Sequence, residues 1–192
     1  SGFRLEQAVT IGESIGGIVG MNLAAIGAIE KLGLVEAGGM THQSAADVRA
    51  AMRREKKLHE AARVELVEAA IKDLAVDARF EPTSGLWRRL PFNPLVLLAL
   101  YTPGLGNDEP FKTLEKGMND HPNTQVSGRI AAQSELFPSD AVAERYAYLA
   151  DRFPGRVQWD IVPRTSHYLI AADPTTYGQL VVGQLSELGV AV

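Results

Sequence analysis

The sequence contains no cysteine in its 192 residues. That absence excludes disulfides, thiolate nucleophiles and cysteine-ligated zinc or iron–sulfur centres, and the cytoplasm stands as the default compartment. Positive charge is not in excess: 19 Lys and Arg stand against 23 Asp and Glu, a formal net charge of −4. No basic field is present to hold a phosphate backbone or an anionic membrane surface, so nucleic acid is not an expected partner. Long apolar runs are missing too. The longest, Pro94 to Tyr101, falls well short of the ~20 residues of a membrane-spanning helix and reads as a core element or a pocket wall. Ser1 to Glu6 show neither a basic n-region nor an apolar h-region, so no secretory signal is read there.

What is present is the balance of a folded domain, 46% hydrophobic and 22% charged, with length enough for one substantial core. Periodicity divides the chain in three. Residues 1–40 read as α/β: a β-branched strand from Ala8 to Ile11, a sharp turn at Gly12, an apolar helix from Gly16 to Ala25, then a second strand that runs from Ile29 into the exit loop Gly38-Gly39. Residues 41–121 read as a mainly helical cap. Val48, Met52, Leu58, Val64, Val67 and Ile71 are spaced along charged helices, and a proline- and glycine-rich stretch wraps the apolar run. The mixed-sign cluster Arg53 to Lys57 reads as a solvated helix face. Residues 122–192 return to α/β, with strands at Val126 to Gln133 and Val157 to Val162, a helix from Ala141 to Phe153, and a closing helix past Pro174.

Gly12-Glu13-Ser14-Ile15-Gly16 is a G-x-S-x-G string between an expected strand and an expected helix, the context that a nucleophilic serine requires. Ser14 would sit on a strained turn that lifts its hydroxyl clear. On this reading a Cβ at Gly12 or Gly16 would strike neighbouring backbone. The Ile15 N–H, at the start of the helix and unpaired within it, is an oxyanion donor. A serine nucleophile needs a base and the base needs an orienting acid. His167, in the loop after the last strand, is the expected base. His42, His59 and His121 read as solvated or capping residues. Two carboxylates lie past the third strand: Glu135, nearest its end, is the preferred acid, and Asp140, placed to serve the first turn of the next helix, is the alternative.

On these motifs, Val9 to Gly17, Ser134 to Pro138 and Ser166 to Leu169 with Asp173-Pro174, the sequence resembles the α/β-hydrolase superfamily. The resemblance implies Ser14 as nucleophile, Glu135 as acid and His167 as base, and it places a helical cap where residues 41–121 are inserted. A full member has about eight strands with the elbow after the fifth, whereas four strand candidates are found here. The expected architecture is therefore a parallel half-sheet flanked by helices, with its elbow strand at an open edge. Completion is expected from an N-terminal half, as a cleaved or separate chain or as preceding residues of a longer chain, or from a second copy that exchanges elements in a homodimer. That half would also bring the second oxyanion donor.

The resulting expectation is a serine hydrolase or acyltransferase acting on an ester, thioester or lactone through an acyl-serine, with no metal and no organic cofactor. Trp87, Phe92, Leu97 and Tyr101 would line a pocket for a hydrophobic moiety. The alternative is a non-catalytic, hydrolase-like subunit whose half-sheet binds another chain.

Overall fold

The computed structural model describes residues 8–44, 46–55, 57, 107–167 and 174–191. Four strands, β1 (Val9–Glu13), β2 (Lys31–Val35), β3 (Gln125–Ala131) and β4 (Val157–Val162), pair in sequential order and all in parallel. The intervening helices are α1 (Ile15–Ala25), α2 (Glu109–Asp120) and α3 (Ser139–Arg152), and α4 (Pro174–Glu187) closes the fold. This is the parallel half-sheet expected from the sequence, with β1 at one edge and β4 at the other.

Alternation along the strands decides which face each helix covers. Leu32 and Leu34 of β2 and Val126 and Ile130 of β3 enter the main core with Met21 and Ala24 of α1, Phe111, Leu114 and Met118 of α2, and Tyr146 and Leu149 of α3. The intervening residues face α4. Val35 packs with Val162, Ile11, Tyr177 and Leu180, while Ser127 and Arg129 are held by Gln184 and Glu187. Near contact is built in at Gly128, where an added Cβ would lie 2.4 Å from the Tyr146 ring.

Both described ends of the stretch 41–121 join this core. The helical stretch 46–55 buries Val48 and Ala51 against it, and α2 packs along α1, with Gly117 against the Ala25 backbone. Pro110, which the sequence reading set in a loop-rich region, opens α2 in its first turn, the helical position where a missing N–H costs nothing. Among the described residues no helix is long and apolar enough to cross a membrane.

Candidate active site

β1 passes into α1 through Ser14 alone, at φ 51° and ψ −117°. A non-glycine residue in such a conformation stores roughly 1–3 kcal/mol of strain and persists only when its surroundings hold it there. Here three backbone bonds do so. Ser14 N–H donates to Val35 O at 3.2 Å, and the Ser14 carbonyl accepts from Gly38 N at 2.9 Å and Gly17 N at 3.1 Å. A Cβ at Gly12 would lie 2.5 Å from Gly16 O, so glycine is required there, as the sequence suggested. At Gly16 the expectation is corrected, because an added Cβ would meet nothing within 4 Å. The second close approach belongs to Gly17, whose Cβ would lie 2.4 Å from the Ala37 Cβ. Ile15 is the first residue of α1, and its N–H is one of those a helix leaves without an internal partner.

One strand over, β2 ends at Val35, the register partner of Glu13, and the next residue is Glu36, also at positive φ, 46°. Glu36 is 2% exposed. Its N–H donates to Arg129 O at 2.9 Å, and its Oε1 accepts from Ala131 N–H. Its Oε2 lies 3.4 Å from His167 Nδ1. His167 is 6% exposed and reaches Glu36 from the loop after β4, past the positive-φ residue Arg164 and the turn in which Thr165 Oγ1 bonds Val162 O. The Phe137 ring meets the imidazole in an edge contact, with centroids 5.2 Å apart and planes at 79°.

The carboxylate that faces His167 is thus Glu36 and not either of the two read from the sequence. Glu135 bonds Arg54 Nε through Oε2 at 2.7 Å, and its N–H donates to Glu55 Oε2 at 2.8 Å. Asp140 lies in the first turn of α3, where the sequence reading placed it as the alternative. The signal for Glu36 was present as an acid at the exit of the strand beside the elbow, followed by Ala37-Gly38-Gly39. Read as the tail of an alternating strand, it carried no role. Trp87, Phe92, Leu97 and Tyr101 lie outside the described residues, as does His59. His42 is exposed, and His121 forms the C-terminal end of α2.

Two tyrosines respond to charges at this end of the sheet. Burial raises the Tyr177 phenol above its ordinary value, and the charge and hydrogen bond of Glu13 raise it further. Burial also raises Tyr146, with the Glu36 charge adding to it and Arg129 opposing. Both remain neutral at physiological pH. Among the described residues, no group of three or more His, Asp and Glu is arranged to hold a metal ion.

No family model and no curated protein matches the sequence, but solved structures match its architecture. A thermophilic esterase shares 18% identity and superposes with a TM-score of 0.56 over 96% of this chain and 68% of its own. A structure from work on carboxylesterases of the ammonia-oxidizing thaumarchaeon Nitrososphaera gargenis shares 14% identity with a TM-score of 0.52, over 96% and 66% of the respective chains. MGS-MChE2, an alpha/beta hydrolase enzyme from a metagenome of lagoon sediments at Mar Chica, Morocco, shares 14% identity with a TM-score of 0.51, over 95% and 63%. The chain carries the α/β-hydrolase fold. It spans just under two thirds of the length of the latter two structures. Ser14, Glu36 and the loop that carries His167 occupy one end of this sheet, the carboxyl end of its parallel strands, where ligands of open α/β sheets bind.

Proposed function

We propose that the chain carries the nucleophile, base and acid of a serine hydrolase or acyltransferase for esters, thioesters or lactones, with Ser14, His167 and Glu36 in those roles. The observation that carries the reading is the buried Glu36–His167 pair at the strand ends beside a strained Ser14 turn. With Nδ1–H directed at Glu36, the neutral imidazole presents Nε2 as its acceptor. Nε2 takes the Ser14 proton as Oγ attacks the acyl carbon, and the Ile15 N–H receives the developing oxyanion. The imidazolium returns that proton to the leaving alcohol or thiol. Water or a second alcohol then gives its proton to Nε2 and attacks the acyl-Ser14, and the proton goes back to Oγ as the product acid or ester departs. Glu36 stabilises the imidazolium in both halves.

A second oxyanion donor is expected from a polypeptide segment that adds a parallel strand to the edge that β1 forms among the described residues. Two features support this. Parallel sheets are ordinarily covered and not left open. Moreover, Val19 of α1, the helix that follows β1, is 57% exposed, and Ile26, the residue after that helix, is 72% exposed. The same two exposed apolar residues favour a second reading, a non-catalytic subunit whose purpose is to bind that segment. A fluorophosphonate probe separates the two. Covalent labelling at Ser14, abolished in Ser14→Ala and His167→Ala, is the result expected of the hydrolase. Absence of labelling in the chain alone and in the presence of any strand-supplying partner would leave the subunit reading.

A further inference from the structure

We propose that Glu55 is a positioning residue for His167, acting through the 134–137 turn, and that the segment inserted after β2 is thereby coupled to the base of the proposed reaction. The inference rests on the hydrolase reading for its kinetic consequence but not for its structural one. Glu55 lies in the helical stretch that includes residues 46–55 and is fully buried. It shares its inward face with Val48, Ala51 and Met52, which pack into or against the core, at the i, i+3, i+4, i+7 spacing of one helix face. A carboxylate in that position needs a structural reason, because burial without bonded partners is costly. Part of the reason is the Glu135 N–H, 2.8 Å from Glu55 Oε2.

The turn that Glu55 grips is tied on every side. Arg54 Nε holds the Glu135 carboxylate at 2.7 Å, and Gln43 Nε2 donates to Leu136 O at 3.1 Å. Ser134 Oγ accepts the Phe137 N–H at 3.1 Å. On the far side, Gln133 N–H donates to Thr165 O at 2.8 Å, in the loop that carries His167. The turn ends in Phe137, whose ring bears on the imidazole. His167 is therefore fixed on one side by Glu36 and on another by a ring whose place depends on the Glu55–Glu135 bond. An imidazole turned away from its line to the serine loses rate steeply, since a displacement of about 1 Å at a reacting group can cost ~10²-fold.

The test compares Glu55→Gln, which keeps an acceptor oxygen at the same reach, with Glu55→Asp, which withdraws it by one methylene, and Glu55→Met, which removes it. The primary readout is the NMR position of the His167 ring protons, which lie in the ring-current field of Phe137; Phe137→Leu calibrates the loss of that field. We expect Glu55→Gln to match the parent protein and Glu55→Asp and Glu55→Met to move the His167 signals toward those of Phe137→Leu. With p-nitrophenyl acetate as probe, kcat should fall about tenfold in Glu55→Asp with KM little changed, and Glu55→Gln should restore it. Glu55→Asp carries the test should Glu55→Met fail to fold. His167 signals that are unmoved in folded Glu55→Asp would overturn the proposal. The NMR comparison is repeated in a Ser14→Ala background. If the chain hydrolyses no ester, the coupling is still read there, and the two failures are told apart.

Discussion

Ser14 and Glu36 leave adjacent parallel strands at the same level, each one residue past the register pair Glu13–Val35, and both adopt positive φ, 51° and 46°. Neither is a glycine. Strain of this kind, repeated on neighbouring strands at the end of the sheet that also receives His167, marks positions held for their side chains and not for backbone economy. The cross-strand bonds Ser14 N to Val35 O and Gly38 N to Ser14 O lock the two turns to one another, so the geometry of one is inherited by the other.

The strain at Ser14 has a measurable sign. Serine and alanine both carry a Cβ and suffer equally at φ 51°, whereas glycine adopts that conformation without penalty. Ser14→Gly should therefore be more stable than Ser14→Ala by about 1 kcal/mol, a difference of a few degrees in thermal melts. Equal melting temperatures would mean that the turn is not strained in solution.

Two glycines of the same motif should behave in opposite ways. Gly12→Ala brings a Cβ within 2.5 Å of Gly16 O, a backbone atom that cannot swing aside. Overpacking of this kind costs about 1–3 kcal/mol or more, and because relief must move the elbow, labelling at Ser14 should fall with it. Gly16→Ala enters open space inside α1 and should raise stability by about 0.5–1 kcal/mol through helix propensity. Denaturant midpoints of the two variants decide the matter.

A pH dependence of stability is expected from Asp108, the residue that precedes α2. Burial pushes its carboxyl up, but the hydrogen bond and charge of Lys112 and the charge of Arg145 outweigh burial and hold it below the ordinary carboxylate range. Its contacts are Lys112 Nζ at 3.1 Å and Arg145 Nη2 at 3.2 Å. A value lowered on folding gives stability that is fully present above the unfolded value of about 4 and is lost as pH falls through the folded value. Asp108→Asn should therefore melt below the parent protein at pH 7, and the gap should close as the pH is taken well below 4. A gap that persists unchanged in acid would assign the loss to packing instead.

The fold was legible because its signals are local. A β-branched run that ends in Gly12-Glu13-Ser14 and continues as an apolar helix admits few other readings, and the amphipathic spacing of α3 and α4 locates them within a few residues. The carboxylate beside His167 was not legible in the same way. Which carboxylate faces His167 depends on where the loop after β4 folds back across the sheet, a contact between residues 131 positions apart. Glu135 stands near its strand end as an acid should. Its side chain, however, is drawn outward by Arg54, a partner 81 residues away that the sequence reading placed on a solvated face. The same long-range logic hid α2, whose core residues Phe111, Leu114 and Met118 look from sequence like the tail of a cap.

The two acids make the most direct test of the site. Glu36→Gln keeps the size and one acceptor oxygen of the side chain but removes the charge beside His167 Nδ1, and its amide can present a donor where the imidazole needs an acceptor. The corresponding loss in a serine protease triad is about 10⁴-fold in kcat, and a loss of that order is expected here on the probe ester. Glu135→Gln removes the charge that pairs with Arg54, whose side chain is 56% exposed against 40% for Glu135. An ion pair in that setting contributes at most about 1 kcal/mol, while the Glu135 N–H that Glu55 receives belongs to the backbone and survives the change. Glu135→Gln should therefore retain activity to within a few fold. The opposite pattern, activity lost in Glu135→Gln and kept in Glu36→Gln, would return the acid to the position read from sequence. Glu36 would then be a buried brace for the Ala131 N–H that happens to lie beside the histidine.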